Sequence, residues 1–439
     1  MPQLDVVSAT VLVTGLLFVL LALGVHIGVA LGLSGTVGLL LTLGERAALA
    51  QLKTIPYNAT AVYSLAAIPT FILMGDFFSR AGFAGDLYKA AYNWMGHLRG
   101  GVAMATTVGA AVFGAISGSS VANAAVFTRI ALPEMVKIGY DKRLATGAIA
   151  IAGTLDALIP PSIIAVLYAL ITETSVGKVL IAGFLPGLVG AVVYMAAIYL
   201  RVRWRPELAP VLPVRVPWDE RFRSLLALWG VGIVFLLTMG GIYTGLFTPT
   251  QAGAVGAFCA FVVALVRKGF DRAILWSPFR EAALSTATIL IILIGGFLFA
   301  RFLAFTGLVR AFSELLLGLG LPPIGYLAAY AVIMIALGMF MEAFAMMILT
   351  LPLFFPLLTG VGYDPVWLGI VTIQLIAIGL VTPPVGLNVY VVKAASPIPL
   401  TLEDIFVGVG PFIVAALVVL GLLVAFPQIV LFLPDLMAS

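Results

Sequence analysis

The sequence predicts an all-α polytopic membrane protein with about ten to twelve spans, arranged as two repeats that each hold a membrane-entering hairpin and a broken helix. Three observations predict it. The 439 residues are 62% hydrophobic and 10% charged, with a mean hydropathy of +1.19, whereas a soluble domain carries roughly 25% charged residues. The apolar runs are uninterrupted, unlike the alternating segments of roughly ten residues that make a β-barrel. A pattern of glycine, tyrosine, aspartate and paired prolines occurs twice at one spacing.

Taken in order, the first run extends from Val6 to Leu23. No Lys or Arg precedes it, so it lacks the basic leader of a cleaved signal peptide and reads as the first membrane helix. Further runs lie at Ala59 to Phe78, Leu225 to Ile242, Gln251 to Val266 and Ile324 to Met341. Residues 1–56 read as N-terminal helices and 57–200 as the first repeat. Residues 201–280 hold basic loops around a central helical hairpin, and 281–439 hold the second repeat with a C-terminal helix.

The basic residues behind the net charge of +4 cluster in loops. Arg201, Arg203, Arg205, Arg215, Arg221 and Arg223 share one polar segment, and Arg267, Lys268, Arg272 and Arg280 share another. The two spans joined by the turn "GGIYTGLFTPTQ" separate these segments, so both loops lie on one side, which the positive-inside rule makes cytoplasmic. No Lys or Arg follows Lys393, which places the C-terminus on the periplasmic side. This distribution sets topology and does not suit nucleic acid. One cysteine and two histidines cannot build a disulfide framework or a His/Cys metal cluster. No GxxxxGK[ST] loop for a bound nucleotide occurs either.

A shift of 223 residues superposes Pro133 on Pro356, Gly139 on Gly362, Tyr140 on Tyr363, Asp141 on Asp364, Pro160 on Pro383 and Pro161 on Pro384. Internal repeats with interrupted helices at matching positions point to a transport site near the bilayer midplane. Each interruption is a double proline inside a run otherwise long enough to span. A proline within a helix removes a donor and clashes with the preceding turn, at about 3 kcal/mol. Irregular backbone at membrane depth is tolerated only where it is buried or lines a cavity. The breaks at Pro160–Pro161 and Pro383–Pro384 are therefore expected to be unwound, with freed carbonyls suited to a small cation and half-helix N-termini suited to an anion.

The same shift sets Ser119 of "GAISGSS" on Glu342 of "LGMFMEAFAM", so each reads as the tip of a hairpin that enters the membrane and turns back. The competing reading of "GAISGSS" is a small-residue packing face. Asp156 and Glu342 are acids at membrane depth, functional candidates by default; the competing readings are a protonated or locally paired carboxylate, or a span boundary. Arg129 is either a carboxylate partner or a loop-proximal cation.

The stretches "AIPTFILMGDFFSRAGF", "GHLRGG", "GAISGSS", "AGTLDALIPPS", "GKVLIAGFLPG", "GGIYTGLFTPT", "GLVTPPVGLNVYV" and "FPQIVLFLP" together resemble the large membrane subunit of tripartite ATP-independent periplasmic (TRAP) transporters, the DctM-like family. The resemblance runs in order from about residue 60 to about residue 434. It implies the transporting subunit of a sodium-driven importer of organic acids, such as C4-dicarboxylates or sialic acid, in a bacterial inner membrane. Partners would be a periplasmic substrate-binding protein and a small four-helix membrane subunit, expected as a separate chain. No cofactor beyond the coupling Na+ is implied.

The implied fold is an elevator of the ion-transporter superfamily, in which two inverted repeats supply a mobile domain set against a scaffold that includes the N-terminal helices. Carried over, Ser117, Ser119, Gly153, Thr154 and Pro160 would form one sodium site, and Gly338, Glu342, Gly379 and Thr382 the other. Ser120, Asn123, Ser162, Gly386 and Asn388 would meet the substrate. The chain departs from the family pattern with Asp156 in place of a glycine, Glu342 in place of an aspartate and Arg129 in place of a small residue.

Two alternatives stand beside this expectation. A stand-alone sodium-coupled carboxylate transporter or exchanger of the same superfamily would work without partners. An intramembrane enzyme using Asp156 and Glu342 as an acid pair lacks a recognisable nucleophile and base. A continuous channel is disfavoured, because a duplicated broken-helix midplane suits alternating access.

Overall fold

The computed structural model describes residues 6–211 and 216–437. Arg215 of the first basic loop lies outside them, as does the side chain of Arg272. Among the described residues there is no strand; the chain is a succession of helices, apart from short turns and three 3₁₀ segments.

The elements recur in the same order in two copies. In the first copy, an entering arm Gly101–Ser117 and a return arm Ser120–Lys137 form a hairpin, followed by two half-helices, Lys142–Ala152 and Ile163–Ile171, and a long helix Phe184–Trp204. In the second copy the arms are Pro323–Gly338 and Ala343–Gly360, the half-helices Pro365–Gly379 and Leu387–Ala395, and the long helix Leu402–Ala425. The return arms of both copies begin and end at the 223-residue offset seen in the sequence. Both double prolines lie between half-helices, and each pair is joined by a cis peptide bond.

Local chemistry explains where the helices stop. Gly118 ends the entering arm in the left-handed region, at φ 60°, and donates its N–H to Gly114 O at 2.9 Å, a helix ending that favours glycine. Ser119 is then extended and caps the return arm, its Oγ accepting from Ala122 N at 3.4 Å. Asp141 caps Lys142–Ala152 by accepting from Leu144 N at 2.9 Å, and Ser162 caps Ile163–Ile171 by accepting from Ala165 N at 3.3 Å. These are the short polar residues that satisfy otherwise unpaired N–H groups at a helix start. In the central hairpin, Thr248 and Gln251 form a reciprocal capping box at the start of Pro249–Lys268.

The Gly-Tyr-Asp loop is pinned to the foot of the first entering arm. Tyr140 is buried and its hydroxyl accepts from Val102 N at 3.2 Å, while Asp141 N donates to Leu208 O at 2.9 Å. Burial pushes the Tyr140 phenol up to about 12.

Two compact units emerge. The first comprises residues 1–66, 283–333 and 342–364. Its seam is the crossing of Ile27–Leu43 with the long helix Arg272–Phe305, where small residues let backbones touch: a methyl added to Gly28 would lie 2.8 Å from Ile292 Cα, and one on Gly35 2.6 Å from Phe299 N. Such close approach is how helices associate where water supplies no hydrophobic drive. The second unit comprises residues 67–282, 334–341 and 365–439. There Lys142–Ala152 packs on Leu402–Ala425, with Arg143 paired to Asp404 at 3.1 Å and Arg201 donating to Gly408 O at 3.2 Å.

Among the described residues, five helices are long and apolar enough to cross a membrane, with six shorter apolar helices beside them. The run from Ala59 to Phe78 is not one helix: Glu45–Thr60 ends inside it and Ala67–Arg80 starts anew. The run from Leu225 to Ile242 bends by 53° between Trp218–Leu226 and Trp229–Tyr243. Large apolar side chains such as Leu236, Phe258 and Val332 are exposed, as a lipid-facing surface requires. Of the first basic segment, Arg203, Arg205 and Arg223 are exposed. Arg221 is instead buried, its guanidinium 4.9 Å from the Trp218 ring centroid and its carbonyl accepting from Trp94 Nε1 at 3.2 Å.

Candidate functional site

In the second unit, the first hairpin tip lies against the first helix break. A methyl on Gly118 would sit 3.4 Å from Pro161 O and 3.3 Å from Ile163 Cγ1, and one on Gly153 would sit 3.0 Å from Ala124 Cβ. From the other side, a methyl on Gly75 would lie 2.6 Å from Ser117 Cα, so Ala67–Arg80 covers the tip closely. Glycine is required where these backbones converge.

The polar groups gathered here are buried. Ser120 donates its hydroxyl to Asp156 Oδ1 at 2.6 Å, joining the return arm to the 3₁₀ turn Gly153–Ala157. Asn123 is fully buried and donates Nδ2 to Ala110 O at 2.9 Å. Thr154 donates to Ile151 O at 2.7 Å, and Ser162 is 1% exposed. Ser117 Oγ, Asn123 Oδ1 and Asp156 Oδ2 have no hydrogen-bond partner. Buried polar atoms are nearly always paired, so these oxygens are acceptors that a bound cation, water or ligand would satisfy.

The second break shows the same logic. Gly386 adopts the left-handed region at φ 57° and donates its N–H to Met339 O at 3.3 Å. A methyl on Gly379 would lie 2.7 Å from Gly338 Cα. Gly338, Gly379 and Gly386 are thus brought together. Thr382 donates to Ile378 O at 2.7 Å. Asn388 is fully buried, with neither its Oδ1 nor its Nδ2 paired, and its half-helix Leu387–Ala395 packs on the return arm that carries Asn123.

Glu342 belongs to the first unit. It starts the return arm Ala343–Gly360 in extended conformation without a side-chain capping bond. Arg129 is exposed, and no ion pair to it occurs among the described residues, which favours the reading that it is not a carboxylate partner.

In the sequence, Ser120 and Asp156 stand as separate candidates with no sign that they bond. Gly75, whose lack of a side chain admits the hairpin tip, and Gly114, whose lack of one admits Asp156 and Asn123, were not among the candidates; the available signal was their place in the motifs "LMGDFF" and "GAISGSS". Tyr194, which lies against Thr154 and Gln374, carried no signal at all.

A duplicated helical membrane protein, with paired hairpins and unwound double-proline breaks lined by buried polar atoms, is of the broken-helix transporter class. The family model described as "Tripartite ATP-independent periplasmic transporter, DctM component" matches residues 14–429, and the chain belongs to that family of large permease subunits. It is 38% identical over 407 residues to the C4-dicarboxylate TRAP transporter large permease protein DctM of Pseudomonas aeruginosa, covering 92% of each chain. It is 33% identical to the ectoine/5-hydroxyectoine TRAP transporter large permease protein UehC of Ruegeria pomeroyi, covering 98% of this chain and 100% of the relative. The fold is similar to that of the Alcanivorax borkumensis YdaH transporter, with a TM-score of 0.62 at 14% identity over 88% of this chain and 90% of the other.

Proposed function

We propose that this permease subunit imports an organic acid coupled to sodium, by an elevator movement of the hairpins and broken helices. The observation that carries the reading is the duplicated juxtaposition of hairpin tip and helix break, with unpaired buried oxygens at the first and an unpaired asparagine at the second. In this reading Ser117, Ser119, Gly153, Thr154 and Pro160 supply one sodium site, and Gly338, Gly379 and Thr382 contribute to the other. Ser120, Asn123, Ser162, Gly386 and Asn388 receive the substrate carboxylate, with half-helix N-termini favouring its negative charge.

A periplasmic binding protein delivers the cargo, and a small membrane subunit on a separate chain supports the permease in the bacterial inner membrane. The basic loops face the cytoplasm. The relatives' names include both a C4-dicarboxylate and ectoine, so the cargo is proposed only as a carboxylate. The test is uptake of radiolabelled organic acids into liposomes holding this chain and its small partner, with and without an inward sodium gradient and the binding protein. Uptake that needs both is expected; sodium-driven uptake without the binding protein would favour the stand-alone transporter.

A further inference from the structure

Two orphan acceptors stand side by side in the second unit. Asn123 is fully buried; its Nδ2 donates to Ala110 O at 2.9 Å, which fixes the amide, and its Oδ1 has no partner. Asp156 is 1% exposed. Its Oδ1 accepts from Ser120 at 2.6 Å, and its Oδ2 has no partner. Both side chains flank Gly114: a methyl there would lie 2.6 Å from Asp156 Cβ and 2.9 Å from Asn123 Nδ2.

No cation of the chain answers this carboxylate: among the described residues, no ion pair to Asp156 occurs. Of the elements packed on its turn, Gly101–Ser117 and Pro365–Gly379 carry no ionisable side chain, and Ile163–Ile171 carries only Tyr168. On the return arm Arg129 lies nine residues past Ser120, about 13 Å along the helix, and Lys137 lies beyond it. Lys142 and Arg143 begin the half-helix Lys142–Ala152, at the end remote from the break, and Arg143 is paired to Asp404. On Phe184–Trp204, Arg201 donates to Gly408 O and Arg203 is exposed. A buried carboxylate without a counter-charge is strongly disfavoured, so the missing positive donor has to come from outside the chain.

The place for a negative group adjoins it. Ser120 and Asn123 stand in the first turn of the return arm Ser120–Lys137, where the N–H groups of a helix start favour an anion, and Ser120 is also the residue that holds Asp156. We infer that the substrate is a zwitterion, an organic acid with an ammonium group close to its carboxylate as in an α-amino acid, and that Asp156 is the residue that selects it. The ammonium donates to Asp156 Oδ2 and to Asn123 Oδ1, using two of its three N–H donors. An acid that lacks this nitrogen leaves both acceptors buried and unmatched, which is how a polar site rejects a near-analogue. The inference deepens the transport reading and rests on its placing of the substrate at this hairpin.

Calorimetric titration of the purified chain with its small partner in lipid nanodiscs, in sodium chloride and in choline chloride, tests this with probe pairs that differ by one amine: alanine and propionate, aspartate and succinate, glutamate and glutarate. In sodium, at least one amine-bearing member should bind about tenfold tighter than its partner. Asp156→Asn, which keeps the shape and removes the charge, should erase the difference. Should that variant not fold, the wild-type pairs still decide: no preference for the amine in any pair would overturn the inference. A preference that survives in Asp156→Asn would overturn it too, as would a variant that needs more sodium for both members of a pair alike, which would give the carboxylate to a metal cation. Sodium-dependent binding of acids that is indifferent to the amine would end the inference and leave the transport reading standing. An amine preference lost in Asp156→Asn yet equal in sodium and choline would keep the inference and sink sodium coupling.

Discussion

Single residues at the hairpin tip combine structural and ligand roles, and their substitution separates the two. Ser119 Oγ caps the return arm through a long 3.4 Å bond, so Ser119→Ala should cost no more than about 1 kcal/mol of stability. If the hydroxyl also meets sodium, its loss should raise the half-saturating sodium concentration about tenfold, equivalent to about 1.4 kcal/mol. An unchanged sodium titration would remove Ser119 from the ion site. Tyr140 gives a purely structural prediction. Its folded pKa of about 12 against an ordinary 10.0 means that the folded state holds the proton more tightly. Its contribution is whole below pH 10 and is lost as pH rises toward 12. The thermal stability of Tyr140→Phe should therefore fall less steeply across that window than that of wild type; parallel curves would refute it.

At the scale of elements, the two double prolines decide the architecture. Without them, Lys142–Ala152 and Ile163–Ile171 would be one membrane helix, with the carbonyls near Pro160 consumed by its own hydrogen bonds. Replacing Pro160 and Pro161 by alanine should re-form that helix and abolish uptake while the protein still inserts. Wild-type uptake in the double variant would end the broken-helix reading. These elements were legible in sequence because proline, glycine and short polar residues act locally. The caps at Ser119, Asp141 and Ser162 obey the same local chemistry. The bend after Thr60 and the one at Leu226 were less legible, because hydropathy is continuous through them and only packing breaks the helix.

For the whole molecule, the charge distribution predicts a single sidedness. A cysteine introduced at exposed Arg203, in a chain whose only native cysteine Cys259 is replaced by serine, should react with a membrane-impermeant maleimide from the cytoplasmic side alone. Labelling from the periplasm would invert the topology.

The sequence by itself determined the membrane environment, the helical class, the duplication and the positions of the breaks, because each follows from composition, from a fixed offset or from backbone chemistry within a few residues. Only the tertiary structure decided which groups meet: that Ser120 bonds Asp156, that Gly75 admits the tip, that Gly114 admits Asp156 and that Gly338 approaches Gly379, and that Arg221 is buried while Arg129 is exposed. The physical reason is range. Helix stops are set by neighbours along the chain, whereas the pairing of a buried oxygen depends on a partner tens of residues away, brought near by packing that no local pattern encodes.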